Sequence, residues 1–327
     1  MQLTLCVPGL LLPRAVLAAT VFDLDAPALS LLLGRGRRAA ADPDWLAAAF
    51  GLAAPLPAAA LRKVSAGGTA DGTWLCLDPV HWAVGREGIT LADVRPDAAE
   101  AAALIEALRP LCADWGELSA STPARWELRL ARPLALETRP LPDCLGQRVD
   151  PGLPGGPDGA AWRRLIAEAQ TLLHAHKVNR EREAHGRPAI NSLWPWGAGA
   201  LPASARCEFD VVWSGDPALA GLCHLAGVPC LAPPERHQPA SGRVLCVIDA
   251  LAGPARARDA LAWRAALLAL ERDWLAPAVA ALRRGECDAL RIVGGAVHEA
   301  PRAALFALAR GDLWRFWRRP AHLEALA

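Results

Sequence analysis

The residues best equipped for chemistry lie together in one stretch. His174, His176, Asn179, Arg180 and Arg182 fall near the end of a helical pattern, and Asn191-Ser192-Leu193-Trp194-Pro195-Trp196-Gly197-Ala198-Gly199 follows closely. Amide and guanidinium donors able to hold an anion are thus set beside rigid indoles and permissive glycine backbone. On a regular helix His174 and His176 stand ~160° apart, so they cannot share a metal ion, which needs i and i+4 spacing. Asn179, Arg182 and Glu183 share a face through three- and four-residue steps. A solvated ion-pair face accounts for Arg182 and Glu183. Asn179 is less easily explained, because Asn is a poor helix former that favours ends and turns.

His176 falls on the apolar face with Trp162, Ile166, Ala169 and Leu173, where it reads equally as a core histidine or a functional one. Asn191, Trp194 and Trp196 make either a ligand floor or a structural corner. Asp78-Pro79-Val80-His81 reads as an Asp-Pro turn at a strand end, and it offers His81 as a further polar group. The candidate ligand-binding set is therefore His176, Asn179, Arg182, Asn191, Trp194, Trp196 and His81. Its expected partner is a small anionic ligand. A second candidate surface is Trp314-Arg315-Phe316-Trp317-Arg318-Arg319. It reads as a helix packing Trp314 and Trp317 inward with its arginines in water, or as a docking surface for a protein partner.

The elements that must position these groups are of two kinds. Leu3–Val7 is a buried strand that ends in a turn at Pro8-Gly9, and residues 28–34 form a helix stopped by Gly34. Residues 44–50 form another short helix. Arg243–Asp249 is a near-continuous apolar run, the pattern of a parallel strand covered on both faces. A long helix follows with Trp263, Leu267, Leu270 and Trp274 on one face, kinked or split at Pro277. Leu290–Val293 is the next strand, with Gly294-Gly295 as its turn. The middle differs: residues 73–77, 89–91, 126–130 and 134–138 read as short strands, with a helix over 97–108. A helix of about 24 residues then runs from Ala161 to Gly186. The pattern predicts an α/β chain with a discontinuous core, 1–64 and 189–327, carrying an inserted α+β subdomain, 65–188.

With 327 residues, 53% hydrophobic content and a net charge of +1, the chain is globular and lacks the clustered cations of a generic nucleic-acid binder. Nine scattered cysteines without a CxxC fit a reducing cytoplasm. Cys207, Cys223, Cys230 and Cys246 with His224 invite a zinc reading, but Cys246 sits in an apolar run that a buried strand explains more simply. The N-terminus lacks the basic start of a signal peptide, and no apolar segment is long enough to span a bilayer. A soluble cytoplasmic protein is expected, with neither a membrane nor a nucleic acid as partner.

The order from His176 through Val178-Asn179, Arg180 and Arg182 to Asn191-Ser192-Leu193-Trp194-Pro195-Trp196-Gly197-Ala198-Gly199 resembles the archaeal-type cofactor-independent phosphoglycerate mutases of the alkaline phosphatase superfamily. Ala26-Pro27-Ala28-Leu29 and Val211–Pro217 are similar to mutase segments in the same order. A closer resemblance, over nearly the whole chain, is to the Rpf-type (RpfE-like) bacterial regulatory proteins. It rests on Trp74–His81, Glu168–His174 and the Trp314–Arg319 ending. Both imply an alkaline-phosphatase-like fold, a mostly parallel sheet flanked by helices with an inserted α+β subdomain.

The resemblance also implies metal ligands that this sequence lacks. In the mutases the first strand ends in Asp-Gly and the Asp binds a divalent metal; here Pro8-Gly9 stands in its place. Asp249 and His298 are the remaining metal candidates, and neither has its expected neighbour. Ser30 and Ser65 are not convincing nucleophiles. Two-metal phosphoryl transfer needs a clamp of several carboxylates and histidines. The expectation is a catalytically degenerate, phosphoglycerate-mutase-like protein with a binding or regulatory role, no catalytic residues and no cofactor. The alternative is an active mutase or phosphatase using Mn or Zn.

Overall fold

The computed structural model describes every residue except Glu87, 298–302 and Ala327. The chain divides into two compact units: Met1–Ala54 with Ser204–Asp216 and Leu222–Ala327, and Pro55–Ala203 with Pro217–Gly221. In chain order the strands are β1 (Gln2–Leu11), β2 (Arg37–Ala41), β3 (Thr73–Gly85), β4 (Gly88–Ala92), β5 (Gly116–Thr122), β6 (Arg125–Leu130), β7 (Ser192–Ala200), β8 (Val211–Trp213), β9 (Cys230–Leu231), β10 (Arg243–Val247), β11 (Ala289–Ala296) and β12 (Ala303–Ala309).

The first unit is built on the sheet β2-β12-β11-β1-β10-β8-β9. Strands β11, β1, β10, β8 and β9 run parallel, while β12 and β2 close one side antiparallel. Leu3, Leu5 and Val7 on one face of β1 are completely buried and Thr4 on the other is buried too, as in a strand covered on both faces. The expected turn at Pro8-Gly9 is instead a bulge, and the strand continues to Leu11. Gly9 has φ +81°, and a Cβ there would fall 2.7 Å from the Leu251 carbonyl oxygen. The Trp263 indole donates to the Gly9 carbonyl at 2.8 Å, which holds the bulge in place.

Helix Pro27–Arg35 runs through Gly34 rather than stopping at it, because the missing side chain leaves room for the Arg319 carbonyl. Its N-terminus lacks a local side-chain cap. The Glu271 carboxylate supplies one instead, accepting from Ala28 N at 2.7 Å and Leu29 N at 3.0 Å. Glu271 opens a π-helical turn, Glu271–Leu275, between helices Ala260–Leu270 and Ala276–Arg284. The expected break at Pro277 is this wide turn just before it, a known device for interrupting a helix. Likewise β11 runs on through Gly294 and Gly295, paired with Ala304 and Ala303, so no turn forms there.

The second unit carries the antiparallel sheet β4-β3-β6-β5, with β7 also on β3. Trp126, Trp162, Leu173 and Leu193 are among the buried residues of its core, which helices Ala98–Cys112 and Gly159–Ala175 help to build. This unit extends past the expected 65–188 at both ends, because helix Ala58–Ser65 packs on β3 and β7 while β7 pairs along β3. Strand β5 carries no clear sequence signal. Residues 134–138 form only a single bridge, Glu137 to Gly155, and not a strand. Asp78-Pro79 is not a turn. Both lie inside the 13-residue strand β3, in the stretch between its pairings with β6 and β4. Proline is tolerated where a ladder partner is missing on one side.

The long helix expected over residues 161–186 is two helices, Gly159–Ala175 and Lys177–Ala184. His176 separates them with extended backbone (φ −74°, ψ 139°) and caps the second. It therefore does not lie on a helix face at all.

Candidate functional site

Around the motif region the polar groups find partners inside the second unit. His176 Nδ1 accepts from Val178 N at 3.3 Å. Burial, with Lys177 and Arg180 adding to it, lowers the imidazole below its usual value and favours the neutral acceptor form that this cap requires. Asn179 donates through Nδ2 to the carbonyls of Leu173 and Ile190, both at 2.8 Å, and accepts from Ile190 N at 2.7 Å. Its amide thus ties the broken helix to the strand that follows.

Arg182 Nη1 donates to Glu100 Oε2 at 2.6 Å and Nε donates to the Pro188 carbonyl at 2.8 Å. Glu100 also receives Arg187 at 2.6 Å and completes a capping box with Asp97 at the start of helix Ala98–Cys112. The anion held by Arg182 is therefore a carboxylate of the chain itself. Asn191 mimics a strand residue, accepting from Trp82 N at 2.7 Å and donating to Trp82 O at 3.1 Å. His81 Nδ1 lies 2.8 Å from the Ala189 carbonyl.

The two tryptophans go to different places. Trp194 is buried against Gly152 and donates to the Arg139 carbonyl at 3.0 Å. Trp196 donates to Asp78 Oδ2 at 2.8 Å. Asp78 also receives Arg62 through both Nη atoms at 2.8 Å and Trp126 N at 3.1 Å, so its carboxylate fills the place of a missing ladder partner. Arg62 in turn reaches Glu127 at 2.9 Å, and Ser121 donates to Glu127 from both N and Oγ. Burial pushes the Glu127 carboxyl up, and Arg62 opposes that. Gly197 and Gly199 have φ +61° and +156°. Cβ atoms there would meet Ala58 at 2.7 Å and Pro57 at 2.6 Å, so helix Ala58–Ser65 lies directly on this backbone.

Of the two sequence readings, ligand floor or structural corner, the packing is that of a corner, and Arg62, Asp78 and Glu127 form its hidden centre. Asp78 carried the turn signal of an Asp-Pro pair, and no sequence spacing joins the three residues. Buried Arg within a helix of small residues was the one available hint.

In the first unit a hollow of about 360 Å³ lies beyond the carboxyl ends of β8 and β10, lined by residues that include Gly215, Glu235, Asp249, Asp273 and Trp274. Open α/β sheets bind ligands at such strand ends. Asp249 is exposed on one side. Protein atoms on its other side, then the Asp216 carboxylate, push its carboxyl up, and Arg256 partly offsets them. Asp273 is bonded by Arg272 at 2.6 Å, which holds its carboxyl below the usual range. Among the described residues no lining side chain is basic, so a phosphorylated anion meets carboxylates here without a fork donor.

A divalent metal does not fit these residues. Pro8, inside β1, offers no side-chain oxygen, and no group of three His, Cys, Asp or Glu side chains among the described residues could hold a metal ion. That includes the grouping of Cys207, Cys223, Cys230 and Cys246 with His224; none of the nine cysteines is in a disulfide. His298 lies outside the described residues.

The Trp314–Arg319 ending departs from the expected inward packing. It is a 3-10 turn, Arg310–Trp314, followed by bends. Trp314, Phe316 and Trp317 are 78%, 78% and 68% exposed. Arg315 is the partly buried member, bonded to Asp312 at 2.9 Å. The 3-10 turn ends at Trp314, so Trp317 lies beyond it and no helix carries both indoles onto one buried face.

No protein-family model matches the chain. A 66-residue segment, 20% of the chain, is 38% identical to the 2,3-bisphosphoglycerate-independent phosphoglycerate mutase of Methanosarcina mazei, over 17% of that protein. A 110-residue segment, 33% of the chain, is 30% identical to 2,3-bisphosphoglycerate-independent phosphoglycerate mutase 2 of Methanothermobacter thermautotrophicus, over 27% of its length. The matches thus span less than a third of either relative. Among solved structures, the PH0037 protein of Pyrococcus horikoshii superposes with a TM-score of 0.52 at 14% identity, covering 99% of this chain and 91% of that one. The cofactor-independent phosphoglycerate mutase of Thermoplasma acidophilum gives a TM-score of 0.46 at 17% identity, over 100% and 94%. No helix among the described residues is long and apolar enough to cross a membrane. Segments of the chain are thus similar to 2,3-bisphosphoglycerate-independent phosphoglycerate mutases, and the chain as a whole shares the α/β fold of the PH0037 protein.

Proposed function

We propose that this phosphoglycerate-mutase-like protein has lost two-metal phosphoryl transfer and acts by binding, in a regulatory role of the kind the Rpf-type resemblance implies. The observation that carries this reading is the strand-end hollow of the first unit. Its carboxylates, Glu235, Asp249 and Asp273, stand without a basic partner in the lining, and Pro8 of β1 offers no side-chain oxygen where the mutase resemblance implies a metal-binding Asp. A phosphoryl-transfer site must neutralise charge on the attacking and leaving oxygens. Carboxylates do so only when they hold metal ions, and these are not arranged to hold one.

A small anion bound by Arg182 is not the favoured form of this role, since Glu100 already occupies that guanidinium. The reading supported best is recognition through the surface rather than through the motif corner.

The test is interconversion of 3- and 2-phosphoglycerate by the purified chain, coupled to enolase, with Mn²⁺ or Zn²⁺ added. No turnover above the protein-free rate is expected, together with no metal retained after desalting. Metal-dependent turnover that disappears in Asp249→Ala would overturn the reading and establish an active mutase.

A further inference from the structure

Three large aromatic side chains stand out of the first unit within four residues. Trp314, Phe316 and Trp317 are each more than two-thirds exposed, in a chain whose other tryptophans are mostly buried. Exposed apolar area of this kind marks an interaction site more often than chance.

The backbone that carries them is already fixed. Arg35 donates to the Leu313 carbonyl at 2.7 Å and to the Arg318 carbonyl at 3.3 Å, and Arg315 returns a bond to the Arg35 carbonyl at 3.3 Å. Ala321 N donates to Ser30 O at 2.9 Å, and Gly34 leaves space for the Arg319 carbonyl. The rings are therefore held outward by a braced loop and are not a frayed end. Binding through them costs little ordering entropy.

The surroundings are cationic. Arg318 and Arg319 are exposed beside the rings, and Arg37 and Arg38 open β2 just after Arg35. Asp312, the acid of this segment, is buried and bonded to Arg315. A chain of net charge +1 thus gathers positive charge around this cluster of exposed aromatic residues.

We propose that this aromatic-arginine loop is a peripheral docking site for an anionic lipid bilayer, with the three rings at headgroup depth and Arg318 and Arg319 on lipid phosphates. Indoles with basic side chains at one level suit the membrane interface, where no matching pocket is needed. A second copy of the chain is disfavoured, because pairing the loops would bring their arginines together. Nucleic-acid bases stack on open ring faces, whereas Phe316 and Trp317 meet edge-to-face at 81° with centroids 5.2 Å apart, so they do not form a parallel stacking platform. The site is independent of whether the chain turns over phosphoglycerate.

The experiment is co-sedimentation of the full chain with vesicles of phosphatidylglycerol in phosphatidylcholine, against pure phosphatidylcholine vesicles. Binding to the anionic vesicles is expected, with weaker binding as salt rises. Arg318→Ala/Arg319→Ala should weaken it about 30-fold, from ~1 kcal/mol for each arginine near a charged surface. Trp314→Ser/Phe316→Ser/Trp317→Ser should abolish it with an unchanged melting temperature, since these side chains face solvent. No binding to anionic vesicles, or equal binding by the aromatic variant, would overturn the proposal. So would a dimer in light scattering, or binding to a single-stranded oligonucleotide, that the aromatic substitutions remove while vesicle binding stays absent.

Discussion

Replacing Arg62 by methionine removes the cation that joins Asp78 and Glu127 while keeping most of the side-chain volume. Arg62 is 3% exposed, Asp78 3% and Glu127 0%, so solvent cannot screen the carboxylates that remain. Breaking a buried ion pair from one side costs about 3–5 kcal/mol, because a desolvated charge is left behind. For a unit of this size that corresponds to a fall in melting temperature of about 6–20 °C. Hydrogen exchange of β3 and β6 peptides in urea isolates the effect, since a chain of two units need not unfold in one step.

Acid should narrow the difference. Burial raises the folded-state Glu127 carboxyl above its unfolded value. The protonated form therefore favours the fold fully below the unfolded value and loses that advantage as pH rises through the folded one. Without Arg62 this dependence should steepen, so wild type and variant should converge as pH falls toward about 4. Adding Glu127→Gln should restore part of the loss at neutral pH. A difference below about 1 kcal/mol, the value of an exposed pair, would refute the buried-cluster argument. A difference that stayed constant from neutral to acid pH would refute it equally.

Two further perturbations separate packing from backbone and charge from chemistry. Gly197→Ala should destabilise by about 2–4 kcal/mol, combining a strained φ with a clash on Ala58. Gly186→Ala, at φ +67° with open space around it, should cost only about 1–2 kcal/mol. Similar melting temperatures for the two would show that helix Ala58–Ser65 does not press on Gly197. Asp249→Asn should raise the melting temperature at neutral pH, because burial and Asp216 disfavour the charged carboxyl there. The gain should vanish near pH 3, about where an ordinary aspartate is protonated. Destabilisation at neutral pH would mean that the Asp249 charge has a favourable partner.

Much of the architecture was legible because it rests on local pattern. The buried run of β10 and the apolar face of Trp263, Leu267, Leu270 and Trp274 each follow from residues a few positions apart. The alkaline-phosphatase-like α/β class followed from those patterns together with the motif resemblance. Breaks were harder to read. His176 interrupts what looks like one continuous helix, and Gly34, Gly294 and Gly295 look like stops yet lie inside regular elements. At the glycines a neighbour remote in sequence fixes the backbone, as the Arg319 carbonyl does over Gly34 and pairing with β1 does at Gly294 and Gly295.

The motif region shows the same division most clearly. Sequence placed Asn179, Arg182, Asn191 and Trp196 in one short stretch, at a helix end and along a glycine-rich strand. It could not determine what their polar atoms would meet. Arg182 meets Glu100 from 82 residues away, and Arg62 meets Glu127 across 65. A hydrogen bond depends on ångström-scale approach, and only the packed chain sets that distance. Tertiary structure therefore decided that this corner is held by its own ions, and that Trp314, Phe316 and Trp317 face solvent.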